Sequence, residues 1–284
     1  MSVTPSAPSA PVTENKLKFT PQTVLSKTVW LKDKLFSVRI SRHPAFHFMP
    51  GQFARLGLCV GHTDDGAPNE WRAYSMVSTP DESELEFFSV VVPEGKFSPA
   101  MARLEPGDTI YVDNTPFGFL TLDRFPDGQD LWLISTGTGL SAYLSMLRLP
   151  STWRQFRRVV VVHGVRLLNE LAYREELLGP IRQLAKQADS QLIYLPVPSR
   201  EPLSGDLLKH LPRPDLIAPA RVTSLLQSGE LEKRAGVDLD PAVSRVMLCG
   251  NPAMVTDMRA MLGERQFAPG RRGVTGNLAV ENYW

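Results

Sequence analysis

A chain of 284 residues with 43% hydrophobic and 21% charged side chains has an ordinary globular composition and is long enough for two domains with separate cores. Its formal net charge of +1 excludes a nucleic-acid binder driven by bulk charge, so an acidic partner must be met by a local patch. The two cysteines, Cys59 and Cys249, exclude a disulfide framework and cannot supply the four thiolates of a plant-type iron-sulfur cluster, so any such centre on an electron path sits on another molecule.

Met1 to Asn15 is rich in Ser, Pro, Ala and Thr, with neither the basic segment nor the apolar segment of a secretory leader, and reads as a disordered tail. No apolar run approaches the length of a membrane span, and the cysteine usage favours a cytoplasmic setting. From residue 16 to 124 the pattern is one of short β runs: Phe19 to Trp30, Leu35 to Ile40, Gln52 to Leu58, Trp71 to Ser78, Glu84 to Val92 and Asp108 to Val112. Six strands at this spacing predict a small antiparallel barrel or sandwich. In the fourth run, Arg72-Ala73-Tyr74-Ser75 sets a cation and a ring on one strand face, with a hydroxyl next to them. A guanidinium can fork onto a pyrophosphate, the ring can stack on another ring, and the hydroxyl can bond that ring's edge. The three together suit a flavin dinucleotide. After Gly95-Lys96-Phe97, Ser98 and Pro99 predict the N-cap and first residue of a short helix ending near Leu104, whose bare N–H groups would form an anion site.

Phe125-Pro126-Asp127-Gly128 changes the rhythm, and residues 125–284 alternate continuous apolar runs with helical patterns. Strands are expected at Leu131 to Ser135, Val159 to His163, Gln191 to Val197 and Arg245 to Cys249. Helices are expected at Leu140 to Leu147, Glu170 to Leu178, Ile181 to Ala188, Val222 to Gln227 and Ala253 to Leu262. This is a doubly wound α/β domain with a parallel sheet. Gly137-Thr138-Gly139 follows the first strand and opens a helix, the context of a dinucleotide loop, although Ala142 departs from the full glycine pattern. No acid follows the next strand to hold a ribose hydroxyl. Gly164-Val165-Arg166 ends that strand and Ser199-Arg200 ends the one after, so a 2′-phosphate, hence NADP, is expected there. Cys249-Gly250-Asn251-Pro252 lies at the same edge, with the Cys249 sulfur expected near a nicotinamide. The terminal Tyr283-Trp284 is expected to dock its rings on something flat.

In order, Arg72 to Ser75, Gly95 to Ser98, Gly137 to Gly139, Gly164 to Arg166, Ser199 to Glu201, Cys249 to Pro252 and Tyr283-Trp284 resemble the bacterial ferredoxin-NADP reductases, in the branch ending in Tyr-Trp. The resemblance runs from about Lys16 to the C-terminus. It implies a flavin barrel and a nucleotide domain that bind FAD and NADPH between them, with no metal. By position, Arg72, Ala73, Tyr74, Ser75, Phe88, Ser89, Val90, Val91, Lys96, Phe97, Ser98, Thr138, Tyr283 and Trp284 would hold FAD. Val165, Arg166, Ser199, Arg200, Arg221, Asn251, Pro252 and Ala253 would receive NADP. Ser75, Cys249 and Tyr283 would serve hydride transfer: Ser75 at flavin N5, Cys249 placing the nicotinamide, Tyr283 yielding its stacking position. The Pro-rich stretch Lys209 to Ala220 looks like an insertion. The resemblance further implies a monomer passing electrons to an acidic ferredoxin or flavodoxin, with Arg154-Arg157-Arg158, Arg271-Arg272 and Lys32-Lys34 as candidate contacts. A free-flavin or ferric-chelate reductase and a nucleotide-binding regulatory subunit without turnover are the alternative readings.

Overall fold

The computed structural model describes residues 18–61, 67–271 and 274–282; the N-terminal tail, Arg272, Tyr283 and Trp284 lie outside the described residues. The first sheet is built from β1 (Phe19–Leu31), β2 (Leu35–Ser41), β3 (Phe53–Leu58), β4 (Glu70–Ser75), β5 (Glu84–Val90) and, after the helix α1 (Phe97–Ala102), β6 (Thr109–Asp113). It is antiparallel, in the order β4-β3-β6-β1-β2-β5, and a bridge between Met76 and Phe87 joins its two edges into a nearly closed barrel. Val24, Val38, Ile40, Ala54, Leu56, Phe87, Ile110 and Val112 fill the interior from alternating strand positions. All six expected strands are present. Register shifts at Val24/Ser26 and Val29/Leu31 in the long β1 supply the local twist that closing a small barrel requires.

The second sheet is parallel, in the order β11-β10-β7-β8-β9. Its elements are β7 (Asp130–Thr136), α2 (Ser141–Leu147), α3 (Pro150–Gln155), β8 (Arg158–Val165), α4 (Arg174–Glu176), α5 (Arg182–Gln187), β9 (Gln191–Pro198), α6 (Val222–Gln227), α7 (Glu230–Ala235), β10 (Ser244–Gly250), α8 (Pro252–Glu264) and β11 (Leu278–Asn282). Leu133, Val159 and Val161 face one core, while Trp132, Val160 and Val162 face the other, so burial on both faces explains the unbroken apolar runs. The order proceeds from β7 outward to β9 and then returns to β10, so the crevice at the carboxyl ends of β7 and β10 is a topological switch point.

Several expectations need correction. The fifth parallel strand, β11, was not foreseen, and neither were the six-residue helices α3 and α7. Helix α1 starts at Phe97 with Lys96 as its N-cap, because Ser98 Oγ accepts the Val92 N–H at 2.9 Å instead of capping the helix. The expected helix from Glu170 is interrupted: a 3-10 turn ends at Glu170, the chain turns through Tyr173 at φ +61°, and helix resumes through α4, a π segment at Leu177–Ile181 containing Pro180, and α5.

The barrel and the parallel sheet share a core. Leu35, Val77 and Phe88 of the barrel pack with Leu133, Tyr143 and Tyr173, and the Tyr173 ring lies 4.5 Å from Trp30 and 5.2 Å from Phe88, centroid to centroid. Across this seam the buried Glu86 carboxylate accepts from Tyr173 Oη at 2.8 Å, Arg39 at 2.9 Å and Arg148 at 3.0 Å. Arg148 also forks onto Glu176 at 2.7 and 3.0 Å. Burial opposes its charge, yet Glu176 and Glu86 raise its pKa above the ordinary guanidinium value. Lys34 bonds Glu170 across the same seam.

Candidate active site

On the barrel side, β4 presents the tetrapeptide. Arg72 is half exposed, with one guanidinium nitrogen 2.7 Å from its neighbour's carbonyl at Trp71 and 3.4 Å from Glu70, and Lys96 reaches the same carboxylate at 3.7 Å. Two cations therefore converge on one half-buried acid at the start of α1, an arrangement a pyrophosphate can take over. Tyr74 packs its ring on Phe97 at 5.7 Å, and its hydroxyl meets Ser89 Oγ at 3.3 Å. Burial raises the Tyr74 pKa, with Ser89 opposing, so the phenol stays neutral. Ser75 is 2% exposed and its hydroxyl has no hydrogen-bond partner among the described residues. Folded interiors rarely leave such an atom unmatched, and a hydroxyl awaiting a partner beside Tyr74 fits a flavin edge. Alternation along β5 separates the remaining candidates: Ser89 turns toward Tyr74, Phe88 packs into the seam, and Val90 and Val91 are half-buried.

On the sheet side, small residues bring two strand ends, those of β7 and β10, into contact. A Cβ on Gly139 would lie 2.6 Å from the Cys249 carbonyl, and one on Gly250, at φ +137°, would lie 2.3 Å from Thr136 Oγ1. The glycine of the Gly137-Thr138-Gly139 turn thus serves the approach of β10 to β7, where the sequence pointed to an approach of ligand. Thr136 Oγ1 accepts the Asn251 N–H at 2.9 Å, and Asn251 caps α8 by accepting from Ala253 and Met254, with Pro252 in the first turn. Cys249 is wholly enclosed in the core, and its backbone carbonyl borders the turn.

One residue the sequence did not single out supports this turn. His163, fully buried in β8, lies with Nε2 3.1 Å from the Gly137 carbonyl and Nδ1 3.3 Å from Tyr194 Oη. A carbonyl only accepts, so the proton sits on Nε2 and Tyr194 donates to Nδ1. Burial lowers the His163 pKa to about 4 against the Gly137 bond, keeping the ring neutral. It braces Gly137, whose φ of +55° starts the turn.

The expected nucleotide residues gather at one edge. Beyond β8 and β9 the strands remain paired, Ser199 N–H to Val165 at 3.0 Å and Arg200 N–H to Arg166 at 3.1 Å, which fixes Arg166 and Arg200 on adjacent strand ends. Ala220 N–H bonds the Pro198 carbonyl at 3.1 Å, and Val222 lies over Gly164, so Arg221 at the head of α6 joins them. Among the described residues, no carboxylate pairs with these three guanidinium groups. The two halves meet where Ser75 pairs in register with Phe53, Phe53 contacts the Gly118 position, and Gly118 borders the carboxylate of Glu281, itself in register with Cys249. Glu281 also accepts the Phe119 N–H at 3.3 Å. The flavin and nucleotide candidates thus face one junction.

The candidate carrier contacts fare differently. Arg158 forks onto the buried Asp130 at 2.7 and 2.6 Å with Arg157 3.7 Å away, at the amino ends of β7 and β8, the edge opposite the junction. Lys34 is engaged in the seam. Arg158 and Lys34 are thus engaged by internal carboxylates, while Lys32, Arg154, Arg157 and Arg271 are exposed and Arg272 lies outside the described residues.

Residues 133–260 match the family described as Oxidoreductase NAD-binding domain. The chain is 39% identical over 253 residues to a flavodoxin/ferredoxin-NADP reductase of Shigella flexneri, covering 89% of this chain and 94% of that protein. It is 37% identical to ferredoxin-NADP reductase A of Sorangium cellulosum, covering 93% and 89%. The chain belongs to the ferredoxin-NADP reductase family. A crystal structure of a ferredoxin NADP+ reductase from Neisseria gonorrhoeae with bound FAD and NADP superposes with a TM-score of 0.82 at 32% identity, covering 95% of this chain and all of that one. The two-sheet architecture of this reductase and the resemblance read from its motifs are both borne out.

Proposed function

We propose that this reductase carries reducing equivalents between NADPH and a separate ferredoxin or flavodoxin through a bound FAD, with the residues above in the following roles. The observation that carries the reading is the junction itself: the unmatched Ser75 hydroxyl beside Tyr74 on one side, and three guanidinium groups at the carboxyl edge of β8 and β9 on the other. FAD supplies the chemistry when bound, exchanging hydride with the nicotinamide and single electrons with the carrier. Arg72 and Lys96 neutralise its pyrophosphate, Tyr74 and Phe97 wall one ring face, and Ser75 donates to the ring edge. Ser89, Val90, Val91, Ser98 and Thr138 complete that site, with Phe88 holding the strand against the seam. Tyr283 and Trp284, outside the described residues, are the family's positions for the other ring face and the adenine and would serve there. Arg166, Arg200 and Arg221 grip the 2′-phosphate, with Val165, Ser199, Asn251, Pro252 and Ala253 along the nucleotide and Cys249 behind the nicotinamide. No strong acid or base is needed for hydride transfer, so the protein's contribution is orientation and electrostatics.

The same reading divides the chain near residue 125 into the flavin and nucleotide domains and makes the enzyme a cytoplasmic monomer. No helix among the described residues is long and apolar enough to cross a membrane. The carrier face lies beside the junction at Phe117 and Phe119; Phe119 is 72% exposed with the Arg124 guanidinium 4.9 Å from its ring centre, an aromatic and cationic pair suited to an acidic surface. The experiment is anaerobic: NADPH should bleach the bound flavin, and turnover should be faster with ferredoxin or flavodoxin than with free flavin or a ferric chelate. Absence of a flavin spectrum, or a preference for the small acceptors, would overturn the reading.

A further inference from the structure

The Pro-rich stretch after β9 builds a second feature far from the junction. Residues 205–210 form a 3-10 turn, and the chain then folds Lys209 to Pro212 against α5 and the start of the edge strand β9, bordering an open pocket of about 320 Å³. Arg182 and Lys186 of α5, Ser190 and Gln191 at the head of β9, and Lys209 and His210 line it.

The charges lining it are of one sign, and two of the three have no carboxylate partner among the described residues. Arg182 and Lys186 stand four apart on one helix face, where like charges repel. Among the described residues neither is paired with a carboxylate. Among the described residues, Arg182 Nε is buried with no hydrogen-bond partner, and its guanidinium bonds His210 Nδ1 at 3.0 Å. A guanidinium can only donate, so His210 must accept, and its own proton is on Nε2. The ring is therefore a neutral donor beside two cations. Burial without a counter-charge lowers the Arg182 pKa. Lys209 is bound to Asp206 at 2.6 Å, both exposed, and contributes only to the rim. Ser190 donates its hydroxyl to Phe156 at 2.8 Å, so it offers the cavity no donor.

We infer that this cavity binds a small oxyanion of the phosphate class, held by Arg182 and Lys186 with His210 as a further donor. An anion against the accessible edge of the Arg182 guanidinium would supply the missing counter-charge and turn the helix-face repulsion into attraction. The site is separate from the nucleotide edge. It sits at the amino end of β9, and the seven residue steps from Gln191 to Pro198 span roughly 23 Å at the usual strand rise. The chemistry is shared by free phosphate and by the phosphate end of a small ester.

The test uses the FAD-loaded full chain with one equivalent of NADP+, so that the strand-end arginines are occupied. Inorganic phosphate or glycerol phosphate is titrated at constant ionic strength while the His210 imidazole resonances are followed by NMR, assigned by loss in His210→Asn. A saturable shift is expected, with affinity lowered about tenfold or more in Arg182→Gln/Lys186→Gln, the scale of one lost charge-assisted bond. The exposed Lys186→Gln alone should weaken it in the same direction and serves if the double variant does not fold. Saturation by phosphate alone identifies the free ion as ligand, and saturation by both probes identifies a phosphate ester end. A linear drift with either probe, or equal affinity in wild type and variants, overturns the site.

Discussion

The seam between barrel and sheet and the carboxyl edge of that sheet both carry arginines, and they use them in opposite ways. At the seam, Arg148 is fully bonded to Glu86, Glu176 and the Val77 carbonyl, and Glu86 has partners on both oxygens. At the edge, Arg166, Arg200 and Arg221 have backbone positions fixed by paired strand ends and guanidinium groups with no carboxylate among the described residues. Charge that is matched internally fixes how the two sheets sit together. Charge that is left unmatched is available to a ligand. The difference predicts that changes at the two places separate stability from specificity.

The largest effect is expected at the seam. Glu86→Gln removes the charge that Arg148 and Arg39 share and leaves Arg148 on Glu176, with Glu82 at 3.8 Å. Losing one partner of a buried pair costs about 3–5 kcal/mol, with the lower end expected here because Glu176 remains. Chemical denaturation should read that loss, while the NADPH to NADH preference of the folded fraction stays as in wild type. An unchanged midpoint would show that the shared apolar core alone sets the seam.

How much of this was legible in the sequence follows the same division. The six barrel strands and four of the five parallel strands announce themselves by alternation or by unbroken apolar runs, and the site motifs by short range in the chain. The seam was invisible: Glu86, Arg148, Tyr173 and Glu176 lie far apart in sequence and read singly as surface charges and a buried ring. Strand β11 was missed because Leu278–Asn282 is short and turns only two residues fully inward. Ser98 has the residue type of a helix cap, and nothing in the sequence shows that the Val92 N–H competes for its hydroxyl. His163 carried one signal, a histidine ending an otherwise apolar strand, but nothing in the chain points to Gly137 as its partner.

His163 supplies the next test, since it links fold stability to the turn at the junction. Its folded pKa of about 4 lies below the ordinary value of 6.5, so between those values the unfolded chain binds the proton and the native ring does not. Stability is therefore full above about pH 6.5 and is lost as pH falls through 4. The gap corresponds to roughly 3 kcal/mol at the usual conversion. Urea denaturation from pH 7 to 4.5 should show this slope in wild type and a shallower one in His163→Gln. An identical slope in the variant would assign the acid sensitivity to other groups. A brace of Gly137 also predicts weaker nucleotide binding in the variant at pH 7, where the proton plays no part.

The smallest change in stability and the clearest change in specificity belong to the edge. Arg166→Gln and Arg200→Gln remove exposed guanidinium groups with no internal partner, so each should alter unfolding free energy by no more than about 0.5 kcal/mol. A charge-assisted bond to a phosphate is worth about 1.5–3 kcal/mol, so each variant should lose roughly ten- to a hundredfold in kcat/KM for NADPH. NADH lacks the 2′-phosphate, and its kcat/KM should stay near wild type. The selectivity ratio, rather than the rate itself, is then the deciding measurement, because a strand-end distortion would depress both substrates together. Arg221→Gln should follow the same pattern only if the Pro198–Ala220 pairing brings α6 over the phosphate. If the ratio is unmoved in Arg166→Gln/Arg200→Gln, the unmatched charges at this edge do not read the 2′-phosphate, and the contrast with the seam reduces to one of burial.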